Sequence, residues 1–350
     1  MSACGIAAVM SEAGRRLSGD TITAAMAVMR ERTNGLGGGF AGYGIYPDWA
    51  DHYAFHLIYG SEAAKEETEA YLRQQFVVDH AEPVPTRRTD GISNEPLLWR
   101  YFLRAPAERL NGALTEDDYV VRAVMHVNGH IADAFVGSSG KNMGIFKGVG
   151  YPEDISRFFR LEEYQGYTWT GHGRFPTNSV SWWGGAHPFG LLGWSVVHNG
   201  EISSYGINKR YLANFGYECN LFTDTEVLAY LFDLLVRRHS LGFDNVADVL
   251  CARFWDEIER LPEERRQLAQ ALRITYGGAL VNGPFGIVVG YDRGMVGLTD
   301  RIKLRPLVAG RDNDLLFLAS EECAIRAICP SPETVWAPKA GEPVVGELKG

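Results

Sequence analysis

No stretch of this 350-residue sequence approaches 18 consecutive apolar residues, so no membrane-spanning helix is expected. The amino terminus lacks the basic segment and long apolar run of a secretory signal, and a cytoplasmic location is the expectation. No Lys/Arg-rich run occurs and the formal charge is −9, which argues against nucleic acid as a primary partner. Cysteine is scarce. The five residues Cys4, Cys219, Cys251, Cys323 and Cys329 form no C-x-x-C pair and are odd in number, so neither a disulfide framework nor a metal site is expected. There is no low-complexity segment, repeat or clear interdomain linker. One domain over 4–330 with a carboxyl-terminal tail over 331–350 is the simplest organisation.

The rest of the composition is that of a globular protein, 46% hydrophobic and 22% charged, with 40 glycines to make turns. Helices are expected over 18–32, 61–76, 152–164 and 203–215, from Thr223 onward, and over 245–276 with an interruption at Leu261-Pro262. Strands are expected over 6–10, 43–46, 119–127, 131–138, 167–170, 194–197, 285–291, 295–299 and 315–319, with Asn128-Gly129 as a hairpin turn. The glycine-rich run 35–44 follows a helix and precedes a strand, the reverse of a phosphate-binding loop, and reads as a turn. Strands at both ends with helices between them suggest two sheets packed face to face and covered by helices.

The chain is organised around residues 171–201, G-H-G-R-F-P-T-N-S, W-W-G-G-A-H-P-F and W-S-V-V-H-N-G-E. Two strands each end in a polar cluster: Arg174, Thr177 and Asn178 on one, His198, Asn199 and Gly200 on the other. An arginine fork suits a carboxylate. An Asn amide beside a Gly, whose backbone can be approached closely, suits a carbonyl oxygen that becomes an oxyanion. His198 is expected to shape its turn, and Trp182, Trp183 and His187 either flank a pocket mouth or have a core or partner-contact role.

Two residues carry competing readings. Cys4 heads a short apolar strand and is either one more buried thiol or a nucleophile. If the first three residues were removed, its own α-amine, with an unperturbed pKa of about 7.7–8.0, would serve as base. Asp224 lies in Thr223-Asp224-Thr225-Glu226, and either decorates a capping box at a helix start or holds a ligand ammonium group.

Together these pieces resemble the class II glutamine amidotransferases, the cysteine branch of the N-terminal-nucleophile hydrolases. The matching stretches are C-G-I at Cys4, R-F-P-T-N at Arg174, H-N-G-E-I at His198, T-D-T-E at Thr223 and L-V-N-G-P-F-G at Leu280, then D-R-I-K-L-R-P-L at Asp300 and A-S-E at Ala319. S-S-G-K-N-M-G-I-F-K-G-V-G and W-W-G-G-A-H-P-F are similar to the amidotransferase portion of glutamate synthase and its stand-alone relatives, N-methylglutamate synthase subunits among them. The resemblance implies an α+β fold, a four-layer αββα sandwich. It implies Cys4 as the nucleophile, Asn199 and Gly200 as the oxyanion hole, Arg174 on the glutamine α-carboxylate, Asp224 on its α-ammonium, and Thr177 and Asn178 lining the same pocket.

In that family the nucleophile is residue one of the mature chain, whereas Met1, Ser2 and Ala3 precede Cys4. Residues 1–3 are therefore expected to be a short propeptide. A chain that kept them would be a catalytically silent scaffold or regulatory subunit of the same fold. A different N-terminal-cysteine hydrolase is a third reading, against which the Arg174–Asp224 pair stands. Nothing in the sequence resembles a flavin-binding barrel or an iron–sulfur cysteine cluster, so the chain is expected to carry no cofactor. A separate glutamate-synthase-like subunit with FMN and an iron–sulfur cluster is the expected partner.

Overall fold

The strand Gly5–Ser11 is buried along its whole length, and its side chains divide by parity. Ile6, Ala8 and Met10 point one way into a cluster with Val197, Val288, Met295 and Leu318, while Ala7 and Val9 point the other way onto Ile22, Ala25 and Met26. A strand apolar on both faces lies between two layers. The computed structural model describes residues 4–110, 114–175 and 181–349.

Gly5–Ser11 is the middle strand of a seven-stranded antiparallel sheet, in the order 334–336, 308–312, 315–319, 5–11, 168–173, 38–43, 143–148. A five-stranded antiparallel sheet packs on it, in the order 189–191, 194–200, 285–291, 294–299, 344–347. The helices Gly19–Ala27, Pro152–Phe158 and Glu322–Ile328 cover the outer face of the larger sheet. Asp224–Phe232 covers the outer face of the smaller one, flanked by Tyr205–Ala213 and Phe243–Leu250. This is the α+β, four-layer αββα sandwich. A further four-stranded antiparallel sheet, 77–83, 97–104, 53–59 and 134–138, sits beside it with the helices Glu62–Gln75 and Glu116–His130. Among the described residues no helix is long and apolar enough to cross a membrane.

Three local expectations change. Residues 119–127, expected as a strand leading into an Asn-Gly hairpin, lie in the helix Glu116–His130. Val120, Val124 and Val127 satisfy a helical period as well as β propensity, and Thr115 caps the start by accepting from the Asp118 N–H. Asn128 sits in the last turns of that helix, and its side-chain oxygen accepts from the Val136 N–H.

The glycine-rich run, expected as a turn, contains the interior strand Gly38–Tyr43. Its glycines make room: a Cβ on Gly39 would fall 2.3 Å from the His187 carbonyl oxygen, and one on Gly42 would fall 2.6 Å from the Trp169 ring. At Thr223–Glu226 the capping box is not formed. Thr223 caps Thr225 N–H, but Glu226 turns away to accept from the Asn220 and Leu221 N–H groups and the Tyr230 hydroxyl.

Residues 331–349, expected as a tail, supply an edge strand to each central sheet through Thr334–Trp336 and Val344–Glu347.

Candidate active site

Cys4 directly precedes the central strand, whose Gly5 is paired with Gly173 at the end of the neighbouring strand. The chain leaving Gly173 must therefore pass over the sulfur. Phe175 donates its backbone N–H to the Cys4 Sγ at 3.4 Å. Arg174 lies between the two contacts, is 7% exposed, and donates its own N–H to the Gly37 carbonyl at 2.9 Å. One strand end thus fixes the thiol and delivers a guanidinium beside it.

The charges of this corner act on each other. Burial pushes the Cys4 thiol up, against which the Phe175 N–H and the Arg174 charge pull it down, while Asp224 adds to the rise. The net result is a thiol above its ordinary value, protonated at neutral pH, that needs a base to react. Burial lowers Arg174, partly offset by the charges of Cys4 and Asp224.

Asp224 is the first residue of the helix Asp224–Phe232. Its Oδ2 accepts from the Ile202 N–H at 2.8 Å and its Oδ1 lies 3.3 Å from the Thr225 hydroxyl and 3.7 Å from His198 Nδ1. Burial alone would raise this carboxyl, but His198, the Ile202 N–H and the Thr225 hydroxyl hold it below the usual carboxylate range, so it stays charged.

Asn199 and Gly200 end the strand Trp194–Gly200, opposite Gly286 and Phe285. Gly200 has φ +148, and a Cβ there would fall 1.9 Å from the Pro284 carbonyl oxygen, so only glycine fits. The loop after Gly200 is laced to 282–284: Glu201 N–H bonds to the Pro284 carbonyl, Ser203 N–H to that of Asn282, and Asn282 N–H to the Ser204 hydroxyl. Asp300 holds the adjoining loop by accepting from the Phe285, Ile302 and Leu304 N–H groups. These contacts account for the L-V-N-G-P-F-G and D-R-I-K-L-R-P-L stretches.

Thr177, Asn178 and residues 1–3 lie outside the described residues. The structure brings the other five expected residues to one end of the sandwich: Cys4, Arg174 and Asp224 through their mutual electrostatics, Asn199 and Gly200 through strand register. Such a corner can hold a zwitterionic amino-acid end between guanidinium and carboxylate with its side chain directed to a thiol.

Sequence reasoning passed over the support behind Asp224. The Thr225 hydroxyl meets His187 Nε2 at 2.7 Å and His198 Nδ1 at 3.1 Å, His172 Nε2 donates to the His198 carbonyl at 3.0 Å, and the His172 and His187 rings stack at 4.1 Å. Burial pushes His172 down to about 3 and His187 well below its ordinary value, so both are neutral braces. The parity of the strand Thr168–Gly173, which puts His172 on the same face as Thr170, carried the signal. Trp183 is core, edge-on to Phe158, and Trp182 packs edge-on to Phe135.

The chain is 51% identical over 350 residues to an uncharacterized protein of Archaeoglobus fulgidus, spanning 93% of that protein. It is 24% identical over 225 residues to the amidophosphoribosyltransferase of Methanocaldococcus jannaschii, covering 63% of this chain and 41% of that one. A glutamine amidotransferase-like protein of Rhizobium meliloti is 28% identical over 59% of this chain and 60% of its own length. Among solved structures, the glutamine phosphoribosylpyrophosphate amidotransferase from B. subtilis aligns over 98% of this chain and 47% of its own, at 15% identity and a TM-score of 0.45. The family model for glutamine amidotransferases class-II matches residues 62–261, a span that includes Arg174, Asn199, Gly200 and Asp224. Because that match takes in more than half of the sequence, the chain belongs to the class II glutamine amidotransferases.

Proposed function

We propose that this chain is a glutaminase subunit that hydrolyses glutamine to glutamate through a thioester on Cys4 and passes the ammonia to a separate glutamate-synthase-like subunit. The observation that carries the reading is the corner in which a half-buried thiol feels both a buried guanidinium and a half-buried carboxylate. Glutamine fits it with the α-carboxylate on Arg174, the α-ammonium on Asp224, and the side-chain amide over the sulfur. Thr177 and Asn178 belong to the same pocket in this reading.

The chemistry stems from the raised thiol. Once residues 1–3 are removed as a propeptide, the Cys4 α-amine takes the thiol proton and the thiolate attacks the amide carbon. The carbonyl oxygen becomes an oxyanion held by the Asn199 amide and the Gly200 N–H. The proton returns to the leaving nitrogen, the C–N bond breaks, and ammonia departs. Water then attacks the thioester, releasing glutamate and restoring the thiol.

The acceptor chemistry, with FMN and an iron–sulfur cluster, is assigned to the partner. Support for a partner comes from large apolar side chains left exposed at the Cys4 end: Phe222 at 84%, with Ile302 and Leu304 above half.

The test is purified protein assayed for glutamate release from glutamine, with intact mass read in parallel. Activity in a chain that begins at Cys4, and a glutamine-analogue label on Cys4, is the expected result. Retention of Ser2-Ala3 with no turnover would establish the silent scaffold instead. A label on any other thiol of a trimmed, active chain would remove the mechanism. Copurification of a flavin- and iron–sulfur-containing subunit checks the partner.

A further inference from the structure

Ser320 follows the strand Leu315–Ala319 and sits opposite the start of the central strand. It is 1% exposed. Its N–H donates to the Ile6 carbonyl at 2.9 Å, and its hydroxyl oxygen accepts from the Ile6 N–H at 3.2 Å. The same oxygen lies 3.5 Å from the side-chain amide of Asn199, a fully buried residue of the other sheet. One hydroxyl therefore ties the strand headed by Cys4 to the proposed oxyanion donor.

Proton counting decides how that contact works. A serine hydroxyl has one proton and two lone pairs. With the Asn199 nitrogen turned toward Ser320, both lone pairs are taken by donors. The Ser320 proton then finds no acceptor among the described residues, and Asn199 Oδ1 is left buried without a partner. Two unsatisfied polar groups side by side are costly. Exchanging the amide oxygen and nitrogen, which have nearly the same shape, satisfies the Ser320 proton and Asn199 Oδ1 together and leaves the amide NH2 as the group open to an outside acceptor. Ser320 then donates to Asn199 Oδ1, and the amide NH2 faces the other way.

We propose that Ser320 is a positioning residue that sets the orientation of the Asn199 side chain, so that its NH2 rather than its oxygen faces the carbonyl oxygen of the bound amide. The proposal rests on the glutaminase reading. Without Ser320 the amide loses its directional partner and is free to present an acceptor where a donor is needed. The A-S-E stretch, otherwise without a role, supplies that direction.

A two-residue kinetic cycle tests this, run on trimmed protein after the wild type has been shown to hydrolyse glutamine. Inactivity of the wild type would count against the glutaminase reading and leave neutron diffraction to decide the role of Ser320. Asn199→Ala is expected to lower kcat by about 10²–10³ with little change in KM. Ser320→Ala is expected to lower kcat at least tenfold with KM within threefold, and Ser320→Thr, which keeps the hydroxyl, to recover most of it. The double variant is expected to match Asn199→Ala alone. Losses that multiply, or a Ser320→Ala enzyme with wild-type kcat, would overturn the proposal. Should Ser320→Ala fail to fold, neutron diffraction of the wild type reads the amide directly. Deuterons on the Asn199 atom away from Ser320 support it, and deuterons on the atom facing Ser320 refute it.

Discussion

The Phe175 N–H points at the Cys4 sulfur from 3.4 Å, so the segment that carries Arg174 also fixes where the thiol lies. The sulfur is half-buried and its pKa is raised chiefly by burial, which makes it inert until a neighbouring base takes its proton. Substituting Cys4→Ala is expected to abolish glutamate release while leaving the thermal midpoint close to that of the wild type. Residual turnover above background would point to another nucleophile.

Asp224 is kept ionised by its neighbours, and its proposed role is to hold a positive charge. Asp224→Asn retains an acceptor for the Ile202 N–H but removes the charge. Breaking a desolvated charge pair costs about 2–5 kcal/mol, so KM for glutamine should rise roughly 30-fold or more. Steady-state kinetics check it: an unchanged KM with a fallen kcat would place Asp224 outside the binding of the ammonium group.

At Gly200 the backbone and the space agree. Gly200→Ala puts a methyl group onto the Pro284 carbonyl at a φ of +148. A loss of stability of about 1–3 kcal/mol is expected from the strained backbone, read as a lower urea midpoint. Catalytic activity should fall further than stability does, because the displaced segment carries Asn199.

Lys147 gives a pH signature. It is buried, its Nζ donates to the Gly184 carbonyl at 2.9 Å, and burial lowers it to about 7 from 10.5 while Glu226 pulls the other way. Between pH 7 and 10.5 the unfolded chain holds this proton and the folded chain does not, so stability rises with pH across that window. Lys147→Met removes the contribution. The variant should gain most over the wild type near pH 7 and lose that advantage as pH approaches 10.5. A stability difference that stays flat in urea titrations over this range would contradict the assignment.

Much of the site was legible because strands announce themselves by parity and by the turns that end them. Trp194–Gly200 and Phe285–Tyr291 are apolar runs that end in polar or glycine-rich turns, and their register placed Asn199 and Gly200 side by side with the loop at 282–284. Residues 119–127 misled because valine serves both periods. The deciding signal was the acidic first turn after Thr115, outside the alternating stretch. Gly38–Tyr43 misled for a different reason. Its glycines answer to the Trp169 ring and the His187 carbonyl, both more than a hundred residues away, and no local rule contains those partners. The Thr225–His187–His198 brace was hidden in the same way, since it joins a helix start, a loop and a strand end.

The strand Val344–Glu347 carries one practical implication. It pairs with Gly294–Gly297, at the far side of the smaller sheet from Asn199, and beyond it Leu348 N–H bonds to the Arg293 carbonyl and Lys349 N–H to that of Glu12. Glu12 comes just after the distal end of the strand that Cys4 heads. Any fusion, tether or surface immobilisation made after residue 349 would therefore leave from the end of the molecule opposite Cys4.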